Sequence, residues 1–202
     1  MITVPYKPVS PQEVVTTSFM YPASSLKAKQ TIVEIGPGRG DFLFHLAEQN
    51  KDAVVIGIEI KRKRVDKLIK RVEKRELKNV VTIQDDARRS LKNFLQPASI
   101  DAIYINFPDP WPKKRHTKNR LISASFIKLC CNVLKNQAKL YFTTDFEKYA
   151  LSVAETFKEF KEFNSFYPEI IRTSSDDAFP TFFAQKWISA GRTIYYQKYI
   201  KI

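Results

Sequence analysis

Histidine and cysteine are nearly missing from this chain, whose 202 residues include two of each. The cysteines, Cys130 and Cys131, are neighbours in a stretch that reads as helix. They form neither a CxxC pair nor the disulfide framework of a small secreted domain, so two buried thiols in a reducing cytoplasm are expected. His45 and His116 stand too far apart for zinc-ligand spacing, and no metal is expected. Glycine is scarce as well, at five, and no low-complexity tract occurs, which argues against long disordered segments. No apolar run approaches the roughly 20 residues that a bilayer span needs, so no membrane association is expected. The opening "MITVPYKPVSPQEVV" has no basic region followed by an apolar one, and no secretory signal is read there.

Positive charge is plentiful. The formal net charge is +13, on a composition that is 44% hydrophobic and 27% charged, as in globular proteins. The length suits one domain able to bury a real core. Two segments concentrate the charge. "KRKRVDKLIKRVEKRELK", Lys61 to Lys78, holds ten basic and three acidic residues, and "KKRHTKNR", Lys113 to Arg120, holds five cations and no acid. A polyanion is the expected partner, and nucleic acid is the commonest one. For the first segment a solvated helix face is an equal reading.

After residue 30, short β-rich runs alternate with helical ones. "TIVEIG", "AVVIGIEI", "NVVTIQDD", "IDAIYINF" and "AKLYFTTD" read as strands. "GDFLFHLAEQN", the basic segment with its Val65, Leu68, Ile69 and Val72 stripe, "SFIKLCCNVLK" and "FEKYALSVAETFKEF" read as helices. This rhythm implies βαβ units and a parallel sheet. It breaks near the end, where "FYPEIIRT" and "RTIYYQKYI" read as two strands able to form an antiparallel ribbon. No long helix is read between them, and no helix between the third and fourth strands. Residues 1–30 are expected to form an arm or cover, and 31–202 the core.

"VEIGPGRGDF" sets Gly36, Gly38 and Gly40 between the first strand and the first helix, where glycine permits a tight turn and lets a ligand approach the main chain. Glu59, ending the second strand, can accept ribose hydroxyls. A nicotinamide-dependent oxidoreductase shares this logic, but the third glycine comes one residue early for GxGxxG. Glu34 suits a ligand with an ammonium group, such as the methionine end of S-adenosylmethionine, and Asp85 or Asp86 could receive an adenine amino group. His45 reads as a core histidine.

The chain's oddest stretch is "NFPDPWPKKRHTKNR", Asn106 to Arg120. Three prolines exclude helix and sheet interior from it, so a stiff loop is expected at the carboxyl end of the fourth strand, where such sheets meet their ligands. The Asp109 carboxylate can accept from N1–H and N2–H of guanine, Trp111 offers a stacking plane, and the cations suit phosphates.

With these motifs the sequence resembles the bacterial tRNA (guanine-N7-)-methyltransferases, from about Thr31 to Tyr199. "FPDPWPKKRHTKNR" fits that family's F-P-D-P-W-x-K-x-R-H-x-K-x-R signature throughout, and "EIGPGRG", "GIE", "DDA" and "TTD" fit its other motifs. The resemblance implies an α/β, Rossmann-like, doubly wound fold: a mostly parallel seven-stranded sheet with an antiparallel C-terminal hairpin and helices on both faces. It implies S-adenosyl-L-methionine as cofactor, held by Glu34, Gly36, Gly38, Gly40, Glu59, Asp86 and Asp109, with Asp109 also catalytic. Lys113, Asp145, Thr181, Phe183 and Ala184 would meet the substrate, and Arg115, His116, Lys118 and Arg120 the RNA. The implied reaction is methyl transfer to N7 of the variable-loop guanine, position 46, of tRNA, by a cytoplasmic monomer or homodimer.

One departure stands out: "TFFAQK" has Ala184 where the family has glutamate. Either Gln185, Asp176 or Asp177 supplies the missing acceptor, or the site is weakened. An RNA-binding protein on an inactive methyltransferase fold, and a methyltransferase for another RNA guanine, therefore stay open. Because guanine N7 carries an in-plane lone pair, the implied mechanism needs no general base and rests on positioning and electrostatics.

Overall fold

A computed structural model describes residues 29–176 and 178–202. The arm expected over residues 1–30 therefore lies, through residue 28, outside the described residues, as does Asp177. In chain order, β1 (Gln30–Ile35), α1 (Asp41–Gln49), β2 (Ala53–Glu59), α2 (Arg62–Lys74), β3 (Val80–Gln84), α3 (Ala87–Asn93) and β4 (Ile100–Asn106) alternate strictly. A 3-10 helix (Lys114–Asn119) follows, then α4 (Ala124–Val133), β5 (Leu134–Thr144), α5 (Glu147–Phe157), β6 (Phe163–Ser165), α6 (Phe182–Ser189) and β7 (Tyr195–Lys201).

The strands form one sheet in the order β3-β2-β1-β4-β5-β7-β6. β1 to β5 are all parallel. β7 runs antiparallel between β5 and β6, which is the ribbon the late strands were expected to make. Strands buried on both faces need apolar residues at every position, and β2 is buried along its whole length. One face carries α1 and α2, whose Phe42, Leu43, Phe44, Leu68 and Val72 pack on Ile32 and Val55. On the other, Leu91, Phe126, Ile127, Val133, Tyr149 and Phe157 of α3, α4 and α5 cover Ile103, Ile105, Leu140 and Phe142. Chain order reverses between β1 and β4, so their carboxyl ends diverge into connections on opposite faces and leave a crevice there.

Four local readings need correction. Between β3 and β4 the chain makes α3, announced only by Asp86 as its cap and by Ala87 and Leu91 four residues apart. Its seven residues are too few for a clear helical period. The cationic half of the proline loop winds into the 3-10 helix, because Pro112 is followed by six residues free of proline. The strand read at "FYPEIIRT" falls earlier, at β6, since Pro168 removes a ladder donor; there only Arg172 bridges to Tyr196. Finally, α6 occupies the stretch read as lacking a long helix. Thr181 caps its start, and Gly191, at φ 70°, turns the chain at its end.

Candidate active site

The crevice at the carboxyl ends of β1, β2, β4 and β5 is one cleft with two arms. Glu34, Gly36, Gly38, Asp41, Asp145 and Thr181 help line the first arm. Glu59, Lys61, Asp86, Trp111 and Asn119 help line the second. Gly36, Arg64, Asn106, Phe107, Pro108 and Asp109 belong to both.

The glycine loop builds the first arm. Gly36 and Gly40 have φ of 72° and 83°, in the left-handed region that glycine adopts without a Cβ clash. A Cβ on Gly36 would meet nothing within 4 Å, so the main chain lies bare to the cleft. On Gly40 it would come within 2.4 Å of Leu68 Cδ2 and 2.6 Å of Phe44 Cζ. Gly40 thus serves packing of the loop onto α1 and α2, and Gly36 serves access. Beneath the loop, Glu34 is only 3% exposed and its Oε2 has no hydrogen-bond partner among the described residues. Burial pushes its carboxyl up from 4.5 to about 8; a hydrogen bond from Asn106 opposes this, and the charges of Asp41 and Glu59 add to it. An orphaned buried oxygen beside bare backbone fits a ligand that brings an ammonium group, as S-adenosylmethionine does.

Glu59 governs the second arm. Its Oε1 accepts from the Lys61 N–H at 3.0 Å, and its Oε2 from the Gly38 N–H at 3.3 Å, with Arg64 Nη1 at 3.5 Å. Of the next two acids, Asp85 is bound by Arg89, whose Nε lies at 2.6 Å. Asp86 caps α3, its Oδ1 accepting from the Arg88 N–H at 2.8 Å and the Arg89 N–H at 3.4 Å. Because Asp86 Oδ2 meets, among the described residues, only Arg88 Nη1 at 3.8 Å, it is the better placed of the pair to face a ligand.

Where the arms meet, the proline loop leaves β4 after a last ladder bond, from the Phe107 N–H to the Thr143 carbonyl at 2.9 Å. Phe107 and Trp111 sit at φ 49° and 43°, costing about 1–3 kcal/mol each for non-glycine residues. Asp109 is exposed, and no described residue hydrogen-bonds to it or pairs with it. Trp111 is half-buried, with the His116 ring edge-on at 5.9 Å. Lys113, Arg115 and Lys118 are exposed. Arg120 turns inward: its Nε donates to the Pro110 carbonyl and its Nη1 to Ser152 Oγ, both at 2.9 Å, and its guanidinium lies 4.7 Å from the Tyr149 ring centre. Arg88 in turn donates to the Arg120 carbonyl at 2.9 Å. Arg120 therefore braces the loop from behind, whereas the other four cations of the segment, Lys113, Lys114, Arg115 and Lys118, face solvent.

α6 forms the opposite wall. Thr181 Oγ1 accepts from the Ala184 N–H at 3.0 Å, which caps the helix and leaves the hydroxyl its own hydrogen to donate. Phe183 approaches Phe107 at 6.4 Å between ring centres, and Arg39 of the glycine loop lies 4.5 Å over Phe182. Asp145, at the end of β5, pairs with Arg192 Nη1 at 2.5 Å, and the Arg192 guanidinium stacks 3.9 Å from Trp187. Ala184 is 4% exposed and lines an adjoining aromatic pocket with Tyr104, Tyr141, Tyr196 and Lys198. Gln185 and Asp176 are exposed and line neither the cleft nor that pocket. His45 is half-exposed beneath Phe179, ring on ring at 4.2 Å, rather than in the core.

Glu34, Gly36, Gly38, Glu59, Asp86, Asp109, Asp145, Thr181 and Phe183 thus share one cleft. Sequence reasoning had passed over Asn106, Arg64 and Arg192. Asn106 was legible as the residue opening the proline loop. Arg192 was not, because its position depends on the turn at Gly191, where the Arg192 N–H reaches back to the Trp187 carbonyl at 2.9 Å. Among the described residues no three His, Cys, Asp or Glu side chains gather as metal ligands would, and no helix is long and apolar enough to cross a membrane.

This geometry has known counterparts. Residues 28–197 match the protein family described as "Putative methyltransferase". The chain is 33% identical over 175 residues to the tRNA (guanine-N(7)-)-methyltransferase of Geobacter metallireducens, covering 86% of this chain and 83% of that one. It is 34% identical over 174 residues to the enzyme of that name from Thermus thermophilus, covering 85% and 54%, and 41% over 119 residues to that of Methylobacillus flagellatus, covering 59% and 50%. The chain spans about half the length of these last two relatives. Among solved structures, a SAM-dependent methyltransferase from Aquifex aeolicus superposes with a TM-score of 0.61 at 15% identity, over 88% of this chain and 85% of that one. An rRNA methylase from Streptococcus thermophilus gives 0.59 at 15%, over 87% and 88%. Such remote likeness establishes the fold, the Rossmann-like methyltransferase sheet. The sequence relatives establish more: this chain belongs to the bacterial tRNA (guanine-N(7)-)-methyltransferase family.

Proposed function

We propose that this chain transfers a methyl group from S-adenosylmethionine to N7 of a tRNA guanine, in the cytoplasm, and that the guanine is the one at position 46 of the variable loop. The observation that carries this reading is Asp109, an exposed carboxylate without a partner among the described residues, set where the two arms of the cleft meet. The names of the sequence relatives support the reaction. Glu34, Gly36, Glu59 and Asp86 would hold the cofactor, which when bound supplies an electrophilic methyl group. Guanine N7 has an available lone pair, so no side chain has to remove a proton first. Asp109 accepts from the N1–H and N2–H edge of the base and favours the positive charge that grows on the purine. Trp111 offers a face for stacking, and Lys113, Arg115 and Lys118 face phosphates.

A second reading is favoured by Ala184. Buried, and with Gln185 and Asp176 lining no part of the cleft, it leaves that part of the wall, among the described residues, without the acceptor that the resemblance implies. An RNA-binding protein on an inactive methyltransferase fold would result. Methyl transfer from labelled S-adenosylmethionine to unmodified tRNA, beside the same tRNA with guanine 46 changed to adenine, decides between them. Label on the first alone establishes reaction and position; equal label on both moves the site to another guanine. No label, with cofactor and tRNA both bound, establishes the second reading.

A further inference from the structure

Most arginines of the basic helix α2 turn to the protein, and its lysines do not. Arg64 lies 3.5 Å from Glu59, Arg71 3.0 Å from Asp41, and Arg75, the C-cap, 2.7 Å from Glu48, while Arg62 at the first turn is exposed. Arg71 and Arg75 also lie 5.0 Å from the Phe44 ring centre. Its lysines do the opposite. Lys63, Lys67, Lys70 and Lys74 are spaced by four, three and four residues, which at 3.6 residues per turn sets them in one row along the helix. That row lies opposite the buried Val65, Leu68 and Val72. All four lysines are exposed, and among the described residues none makes an ion pair or a hydrogen bond. Asp66 and Glu73, also exposed, flank the row on one side.

The row starts at the cleft. Lys61 and Arg64, on either side of Lys63, line its second arm, and from Lys63 the row runs about 16 Å away along the helix. Trp111 and Asn119, from the proline loop and its 3-10 helix, line the same arm. Neighbouring ammonium groups on one helix face repel each other, a cost that a merely solvated face avoids by mixing signs. Anything bound in the cleft therefore leaves it between two cationic borders.

We infer that the Lys63–Lys67–Lys70–Lys74 row is a second docking surface for the substrate RNA, which tracks the phosphate backbone from the mouth of the cleft along α2. The inference rests on the function proposed above, and lysine suits it, being a hydrated point charge that follows a backbone without reading bases. It is tested by replacing all four lysines with glutamine, and separately with arginine, in the full chain. Glutamine is a good helix former, so α2 persists. Binding of an unmodified tRNA transcript is followed by fluorescence anisotropy from 50 to 200 mM salt, beside KM and kcat for methyl transfer.

In the glutamine variant, tRNA affinity should fall at least tenfold near 100 mM salt, and the slope of log K against log salt should flatten by about 3, at about 0.7–0.9 per phosphate contact. Cofactor affinity and kcat at saturating tRNA should stay as they were, and the arginine variant should keep the parent's slope. Affinity and slope unchanged in the glutamine variant would overturn the inference and leave a solvated face. So would loss of binding to anionic lipid vesicles with tRNA binding intact. Failure of the parent to methylate any tRNA would refute the proposed reaction, and the anisotropy slopes would still decide the lysine row.

Discussion

Glu59 and Asp109 are both carboxylates of the same cleft, and they are built in contrary ways. Glu59 is 2% exposed and fixed by two main-chain amides before any ligand arrives. Asp109 stands exposed on a loop held in shape by prolines and by Arg120, with no described partner of its own. A carboxylate pinned by the backbone offers its remaining lone pairs in one geometry, which suits a cofactor that is the same in every turnover. A free carboxylate on a stiff loop keeps its charge for the reacting base. On the function proposed above, the contrast sets cofactor residues prepared by the sheet apart from a substrate residue prepared by the loop.

The largest test of that contrast is Asp109→Asn, which keeps the shape and removes the charge. The transfer rate should fall by about 10²–10³, as when one electrostatic stabiliser of a transition state is lost. Cofactor Kd, measured by calorimetry, should change little. An equal loss in cofactor affinity with the single-turnover rate intact would place Asp109 with the cofactor residues instead. Glu59→Ala should do the reverse. It strands the Gly38 and Lys61 amides and removes the acceptor proposed for the ribose, so cofactor Kd should rise about 10–100-fold, at about 1–3 kcal/mol for such bonds. The rate at saturating cofactor should stay within a few-fold.

How much of this was legible beforehand follows the same division. Strand ends are set by apolar runs and glycines, so Glu34, Glu59 and the acid pair after β3 could be located from local pattern, and the proline loop declared itself by composition. What escaped depends on partners distant in sequence. Arg120 looks like the last of five cations, and only Ser152 and Tyr149, 32 and 29 residues further on, make it a brace. Arg192 and Asp145 are 47 residues apart, and no periodicity links them. Asp85 and Asp86 are adjacent and alike in sequence; the short helix α3, itself unread, gives one to Arg89 and the other to the cap.

Glu34 sharpens the comparison through pH. Its carboxyl is raised from 4.5 to about 8, first by burial. Below 4.5 the folded and unfolded chains both hold the proton; between 4.5 and about 8 only the folded chain does, so stability from this group falls as pH rises and levels off above about 8. Glu34→Gln should abolish that component in urea melts taken from pH 5 to 8. A ligand ammonium needs the carboxylate, so cofactor affinity should rise by up to about tenfold per pH unit below pH 8, with release of close to one proton at the acid end. Calorimetry at pH 6.5 in two buffers of different ionisation enthalpy reads that proton directly. Binding without proton release would mean that the ammonium lies elsewhere.

The smallest effect is expected at the wall. Arg192 is half-exposed, and such ion pairs contribute about 0–1 kcal/mol, so Arg192→Met, which can still cover Trp187, should barely change stability. Its loss frees Asp145, whose side chain is 12% exposed, without moving Glu59 or Asp109. If the wall only closes the cleft, KM for tRNA should rise two- to threefold, with kcat and cofactor Kd unchanged. If instead the freed Asp145 competes with the phosphates for Lys113 or Arg115, the same variant should show a shallower salt dependence than the parent. A drop in kcat beyond tenfold would break the division drawn between the sheet-held Glu59 and the loop-held Asp109, because the wall, and not the proline loop, would then be setting the position of the base.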